Sequence, residues 1–87
     1  MGFDDDYFED FEQRFAMYMI LMVGAYPGCI KADLCRPEDP KRSTKLARLE
    51  YLISKGYIMH PVVNGKETKR LVLTEKGEAA AEALMSL

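Results

Sequence analysis

The chain has no tryptophan, one histidine and two cysteines in 87 residues. A single histidine, His60, excludes the histidine clusters that hold many catalytic metals. It also has no Ser or Cys partner at a motif spacing for nucleophilic catalysis. Cys29 and Cys35 match neither Cys-x-x-Cys nor a zinc spacing, so both are expected as small, mostly buried core residues. No Gly-rich phosphate loop and no paired catalytic carboxylates are present. Asp33, Glu38 and Asp39 are too loose a set for a nuclease. The expectation is a protein that is not an enzyme, with no metal and no cofactor. The longest apolar stretch, residues 15–23, is far short of a membrane span. An acidic segment precedes it, which is not the pattern of a secretory signal. A cytoplasmic location is expected. There is no internal repeat and no linker, so residues 1–87 read as one domain with a loose acidic start over 1–6.

What the chain does have is unevenly placed charge. Residues 1–30 carry six acids and only Arg14 as a base. Residues 31–76 carry eleven of the twelve bases against six acids, a local balance of +5 within a net charge of −2. Such asymmetry marks a basic face on a nearly neutral molecule. Asp4 to Asp6 read as a solvated acidic tail, expected on the side away from that face. Hydrophobic residues make up 48% and charged residues 30%, which is globular rather than disordered composition.

Phe8, Phe11, Phe15, Tyr18 and Met22 recur at three- and four-residue steps, which predicts a helix from Tyr7. From residue 15 to 23 this helix is apolar on nearly every side, so several of its faces need cover. Gly24 or the Pro27-Gly28 pair ends it. Residues 29–36 predict a short helix with Ile30 and Leu34 facing inward. Pro37 and Pro40 bracket a turn. The next helix starts at Pro40 with Asp39 as its cap, or at Ser43, and Gly56 stops it. Leu46, Leu49 and Ile53 form its inner stripe, with Leu52 at the margin. Residues 57–63 and 68–73 predict strands joined at Asn64-Gly65, a pair that accepts positive φ at both turn positions. Leu71 and Leu73 share the inward face. Thr74 suits the N-cap of a closing helix to about Ser86, with Ala79, Ala80, Ala83 and Leu84 as a small-residue packing surface.

The series Leu46-x-x-Leu49-x-x-Leu52-Ile53-x-x-Gly56-Tyr57-Ile58, then Asn64-Gly65, then Leu73-Thr74-Glu75-Lys76-Gly77, resembles the winged helix-turn-helix of MarR- and PadR-type transcriptional regulators. The likeness covers about residues 15–87, and its most specific element is the Leu-Thr-Glu-Lys-Gly step. It implies an α+β, mainly α fold: three helices, a two-stranded β-hairpin wing and a C-terminal helix. It also implies a recognition helix over 43–55 in the major groove of double-stranded DNA. The wing, over 59–70, would lie on the backbone or minor groove. Carried over by position, Ser43, Thr44, Lys45, Ala47, Arg48 and Tyr51 face the groove, and Lys66, Lys69 and Arg70 sit on the wing. The chain departs from the family in being shorter, with no long flanking dimerisation helices and with prolines crowding the turn.

Side-chain chemistry points the same way. Lys41, Arg42, Lys45, Lys66, Lys69 and Arg70 are mobile cations suited to phosphates. Ser43, Thr44, Ala47, Arg48 and Tyr51 are the candidates for base contact: an arginine can grip guanine bidentately and an alanine can meet a thymine methyl. The over-apolar first helix predicts a homodimer seam at Phe11, Phe15, Tyr18, Met19 and Met22, against the alternative of central packing in one domain. The alternative function is a winged-helix protein-interaction module in a larger transcription or processing assembly. The sequence names no small-molecule effector and no membrane partner.

Overall fold

The computed structural model describes residues 11–86. The fold is α+β, about half helical, with a small antiparallel sheet. Helix α1 spans Ala16–Ala25, strand β1 Cys29–Ile30, α2 Lys31–Leu34 and α3 Arg42–Ser54. Then come β2 Ile58–Met59, β3 Val62–Val63, β4 Lys66–Glu67, β5 Arg70–Leu73 and α4 Glu75–Met85. The sheet order is β1-β5-β2, with Cys29 opposite Leu71 and Ile58 opposite Leu73. Strands β3 and β4 pair with each other alone, as a separate hairpin.

Helix α1 packs against α4, β5 and α3. It buries Ala16, Met19, Ile20 and Val23. Phe11, Leu34, Cys35, Leu49, Leu52, Tyr57, Ile58, Leu71, Ala80 and Ala81 complete the core. Each fully buried leucine contributes about 1.5–3 kcal/mol. Gly24 of α1 sits so close to β5 that an added Cβ would lie 3.1 Å from the Leu73 side chain.

The chain leaves α3 by a Schellman turn. Gly56 takes φ 85, its amide donates to the Ile53 carbonyl, and the Tyr57 amide donates to the Leu52 carbonyl. At the far end of the hairpin, Asn64 and Gly65 take φ 53 and 78, the pair of left-handed conformations a type I′ turn needs. Thr74 caps α4 by accepting from the Gly77 amide at 3.1 Å. All three features are expected from the sequence.

Five expectations need correction. The first helix is interrupted: residues 13–15 turn, and Phe15 takes φ 68. Residues 7 and 8 of the predicted period lie outside the described residues. Residues 29–36 are not one helix. Cys29 and Ile30 are drawn into the sheet beside β5, so Ile30 is exposed and only Leu34 faces inward. The inner stripe of α3 centres on Leu49 and Leu52, both fully buried, while Leu46 and Ile53 are partly buried at its edges. In α4 the buried residues are Gly77, Ala80 and Ala81; Ala79 is exposed. Lastly, the expected seam is largely interior. Phe11 and Met19 belong to the protomer's own core, and Phe15 and Met22 pack against it. The apolar side chains left open on α1 are Met17, Tyr18 and Leu21.

Gly77 is required by close approach. A Cβ there would fall 2.0 Å from the Tyr57 carbonyl oxygen. Gly77→Ala gains about 1 kcal/mol of helix propensity, but the backbone collision costs more. We expect a net loss of at least about 2 kcal/mol, read as a lower urea midpoint at unchanged slope. A neutral substitution would refute the close approach.

Candidate functional site

Helix α3 begins without a side-chain cap of its own; Lys41 is its N-cap residue. The start is organised one step earlier, by Asp39. One carboxylate oxygen accepts from the Lys41 amide at 2.8 Å, the other from the Lys45 ammonium at 2.6 Å. Pro40 lies in the turn, and the helix opens at Arg42, close to the later of the two expected starts. The bond from Lys45, helped by the Lys41 amide, holds the Asp39 carboxyl below its usual range. The same bond raises the Lys45 ammonium.

The outer surface of α3 presents Arg42, Ser43, Thr44, Ala47 and Glu50 to solvent. Glu50 pairs with Lys31 of α2 at 2.7 Å, which ties the short helix to the long one. Lys41 and Arg42 are exposed and form no ion pair among the described residues. Lys66 and Lys69, on and beside the hairpin, are exposed in the same way.

Four residues expected at the site are held or covered by the protein itself. Arg48, the foremost candidate for reading bases, is half-buried. Its Nε donates to the Arg14 carbonyl at 2.9 Å and its Nη1 donates to the Gln13 side-chain oxygen. Lys45 is largely covered, bonded to Asp39 and stacked over the Phe15 and Tyr18 rings at 5.2 and 5.3 Å. Arg70 donates to the Gly28 carbonyl at 3.0 Å and so braces the turn before β1. Tyr51 lies half-buried under Arg48 and Lys55, with ring distances of 5.5 and 5.9 Å.

The contacts of Arg48 and Lys45 account for the break at residues 13–15. A left-handed non-glycine residue costs about 1–2 kcal/mol. The Arg14 and Lys45 cations lie 4.9 and 5.2 Å from the centroid of the Phe15 ring, and Arg48 grips the two residues before it. Gln13 and Arg14 are therefore parts of the site that helical periodicity could not reveal. The acidic start, expected on the side away from the basic face, lies outside the described residues.

A cleft of about 590 Å³ opens between α2 and the hairpin, lined by Ile30, Lys31, His60, Thr68 and Lys69 among others. His60 Nδ1 lies 2.8 Å from the Arg70 carbonyl, which orients the ring at its edge. The two cysteines are free thiols. Burial raises both thiols, with the Asp33 charge adding to it at Cys29, so neither is a ready nucleophile. Among the described residues no three metal-ligating side chains come together. No helix there is long and apolar enough to cross a membrane.

Compared with protein-family models, with curated proteins and with solved structures, the chain matches none of them.

The Asp39–Lys45 pair has a defined pH signature. A lowered carboxyl contributes stability above its ordinary value and loses it as pH falls through the lowered one. A raised ammonium contributes below its ordinary value and loses it only in stronger alkali. Asp39→Asn should therefore lower the melting temperature at neutral pH. The gap to the native protein should close as pH falls below the ordinary carboxylate range. Thermal melts across pH test this; a gap that persists in strong acid would refute it.

Proposed function

We propose that the chain is a winged-helix protein that binds double-stranded DNA as a small transcriptional regulator. The observation that carries this proposal is the chemistry exposed on α3 and on the hairpin. The exposed start of α3 offers hydroxyls and a methyl group at Ser43, Thr44 and Ala47, beside Lys41 and Arg42, cations with no ion pair among the described residues. After α3 and β2 comes a type I′ hairpin that carries Lys66, with Lys69 just beyond it. Directional groups on a helix suit base edges, and mobile cations at its flanks suit phosphates. Sequence preference would come from Ser43, Thr44 and Ala47. Arg48 and Lys45 act instead as internal supports of the face.

The protein is proposed to act as a homodimer through α1 and α4. An apolar groove of about 520 Å³ between them is lined by Leu21, Ala25, Leu73, Ala81 and Met85, among others. Met17 is 47% and Met85 72% exposed, a high cost in water for side chains of this size. A symmetric pair would present the α3 face twice, as duplex readers of this size commonly do. Leu21→Asp should reduce the sedimenting mass to that of one chain while the far-ultraviolet circular dichroism stays unchanged. A native protein that sediments as a monomer at all concentrations would remove the dimer.

A second reading keeps the fold and changes the partner. Val62 and Val63 are 61% and 55% exposed at the hairpin, which suits a protein surface in a larger transcription or processing assembly. Duplex binding separates the two. Affinity measured by fluorescence anisotropy should fall steeply with salt. Lys69→Ala should weaken all duplexes alike and reduce the salt slope by about one. Thr44→Ala should cost the preferred site about 1 kcal/mol more than unrelated DNA. No binding to any duplex at low salt would sink the DNA proposal and leave the protein partner.

A further inference from the structure

Residues 11 and 12 are helical, residues 16–25 are helix α1, and the three residues between them are not helical. Nothing local asks for that break. No glycine, proline or β-branched residue lies between Phe11 and Met19. Glu12, Gln13, Arg14, Ala16 and Met17 are all strong helix formers. Yet Phe15 takes φ 68, in the left-handed region. The contacts that hold it there come from α3. Arg48 donates from Nε to the Arg14 carbonyl and from Nη1 to the Gln13 side-chain oxygen. The Lys45 ammonium lies 5.2 Å from the centroid of the Phe15 ring. The buried Phe11 ring, 5.6 Å from that of Tyr57, anchors the other side of the break. A left-handed residue that its own sequence does not favour, kept in place by distant partners, is the material of a two-state element.

We infer that residues 13–15 are a latch on α3. Closed, they form the turn described above, with the Arg48 guanidinium held against the protein. Open, Phe15 is right-handed, residues 11–25 form one helix, and Arg48 is released to an acceptor outside the protein. The latch rests on the DNA proposal only for naming that acceptor as a duplex. A ligand shifts such an equilibrium only through its different affinity for the two states. Here the difference is defined: Nε and Nη1 of Arg48 serve residues 13 and 14 or the ligand, not both. Opening returns Phe15 to the helical region and adds helix hydrogen bonds across the break. It gives up the bonds of Arg48 and the place of Phe11 beside Tyr57. Phe11 thus acts on the same side as Arg48 and keeps the latch closed at rest. Arg48, a support of the face when closed, joins Ser43, Thr44 and Ala47 in choosing among sequences when open.

The HN–Hα coupling and intraresidue Overhauser effect of Phe15 distinguish a left-handed from a right-handed residue in the full chain. Gln13→Ala removes one acceptor of Arg48 and leaves α3 itself untouched. It should move the Phe15 coupling towards the helical value, weaken the Overhauser contact between the Phe11 and Tyr57 rings and raise the helical circular dichroism. It should also bind duplex roughly fivefold more tightly, the worth of one hydrogen bond no longer lost on opening. Phe15→Gly, at ease in the left-handed turn, should act in the opposite direction and weaken duplex binding. A brace without a second state predicts no gain in affinity from Gln13→Ala. Saturating the native protein with duplex should move the Phe15 coupling as Gln13→Ala does. A Phe15 coupling unchanged in both Gln13→Ala and Arg48→Ala would overturn the latch, whatever the affinity does. A coupling that moves in the variants but not on saturation with duplex would overturn its release by DNA. A coupling that moves in the variants, with no duplex binding at low salt, would uphold the latch and remove the DNA proposal.

Discussion

The backbone corner at Gly56 and Tyr57 is the constraint on which the second half of the fold depends. It ends α3, starts β2 and receives α4, all within two residues. The Thr74 amide donates to the Tyr57 carbonyl at 3.0 Å, and its hydroxyl donates to the Gly56 carbonyl. The Lys76 ammonium donates to the Lys55 carbonyl at 2.9 Å and rests 4.4 Å from the Tyr57 ring. Gly77 lets α4 come down onto the same peptide. The carbonyls at the end of α3, which would otherwise need water, are satisfied by the first turn of α4. The angle between α3 and the sheet is therefore set by a compact knot of backbone bonds rather than by side-chain packing alone.

That knot explains which parts of the molecule were legible in the sequence. Glycine at 56 and 77, threonine at 74 and Asn64-Gly65 each answer a local backbone demand, and local demands leave local signatures. The helix boundaries near Arg42 and Ser54 follow for the same reason. What stayed hidden depends on distant partners. Strand β1 is two residues long and exists because β5 offers it an edge. The turn at Phe15 contains no glycine or proline to announce it. A helical wheel places Arg48 on the outer side of α3, but it cannot show that a carbonyl 34 residues earlier comes to meet it. The wheel likewise could not show that the core lies nearer the C-terminal half of α3, which moved the buried stripe onto Leu52.

The basic residues divide by location into two kinds of work. Lys31, Lys45, Arg48, Arg70 and Lys76 bond to carboxylates, carbonyls or a side-chain amide oxygen within the fold. Lys41, Arg42, Lys66 and Lys69 stand at the start of α3 and around the hairpin with no ion pair among the described residues. The positive balance of residues 31–76 therefore overstates the charge available to a partner. The fold uses a large share of it to fasten its own irregular segments, where there is little apolar area to bury.

The hairpin is joined to the rest by very little. Strands β3 and β4 pair only with each other, and His60 and Pro61 interrupt the ladder below them. The Thr68 amide and hydroxyl both donate to the Pro61 carbonyl, at 2.9 and 2.8 Å, and fix where the two arms meet the sheet. No core side chain comes from Val62 through Lys69. Residues can be added to or removed from this fingertip without disturbing what lies beneath Thr68. Its reach is an adjustable length on a fixed mount, set apart from the corner at Gly56 and Tyr57.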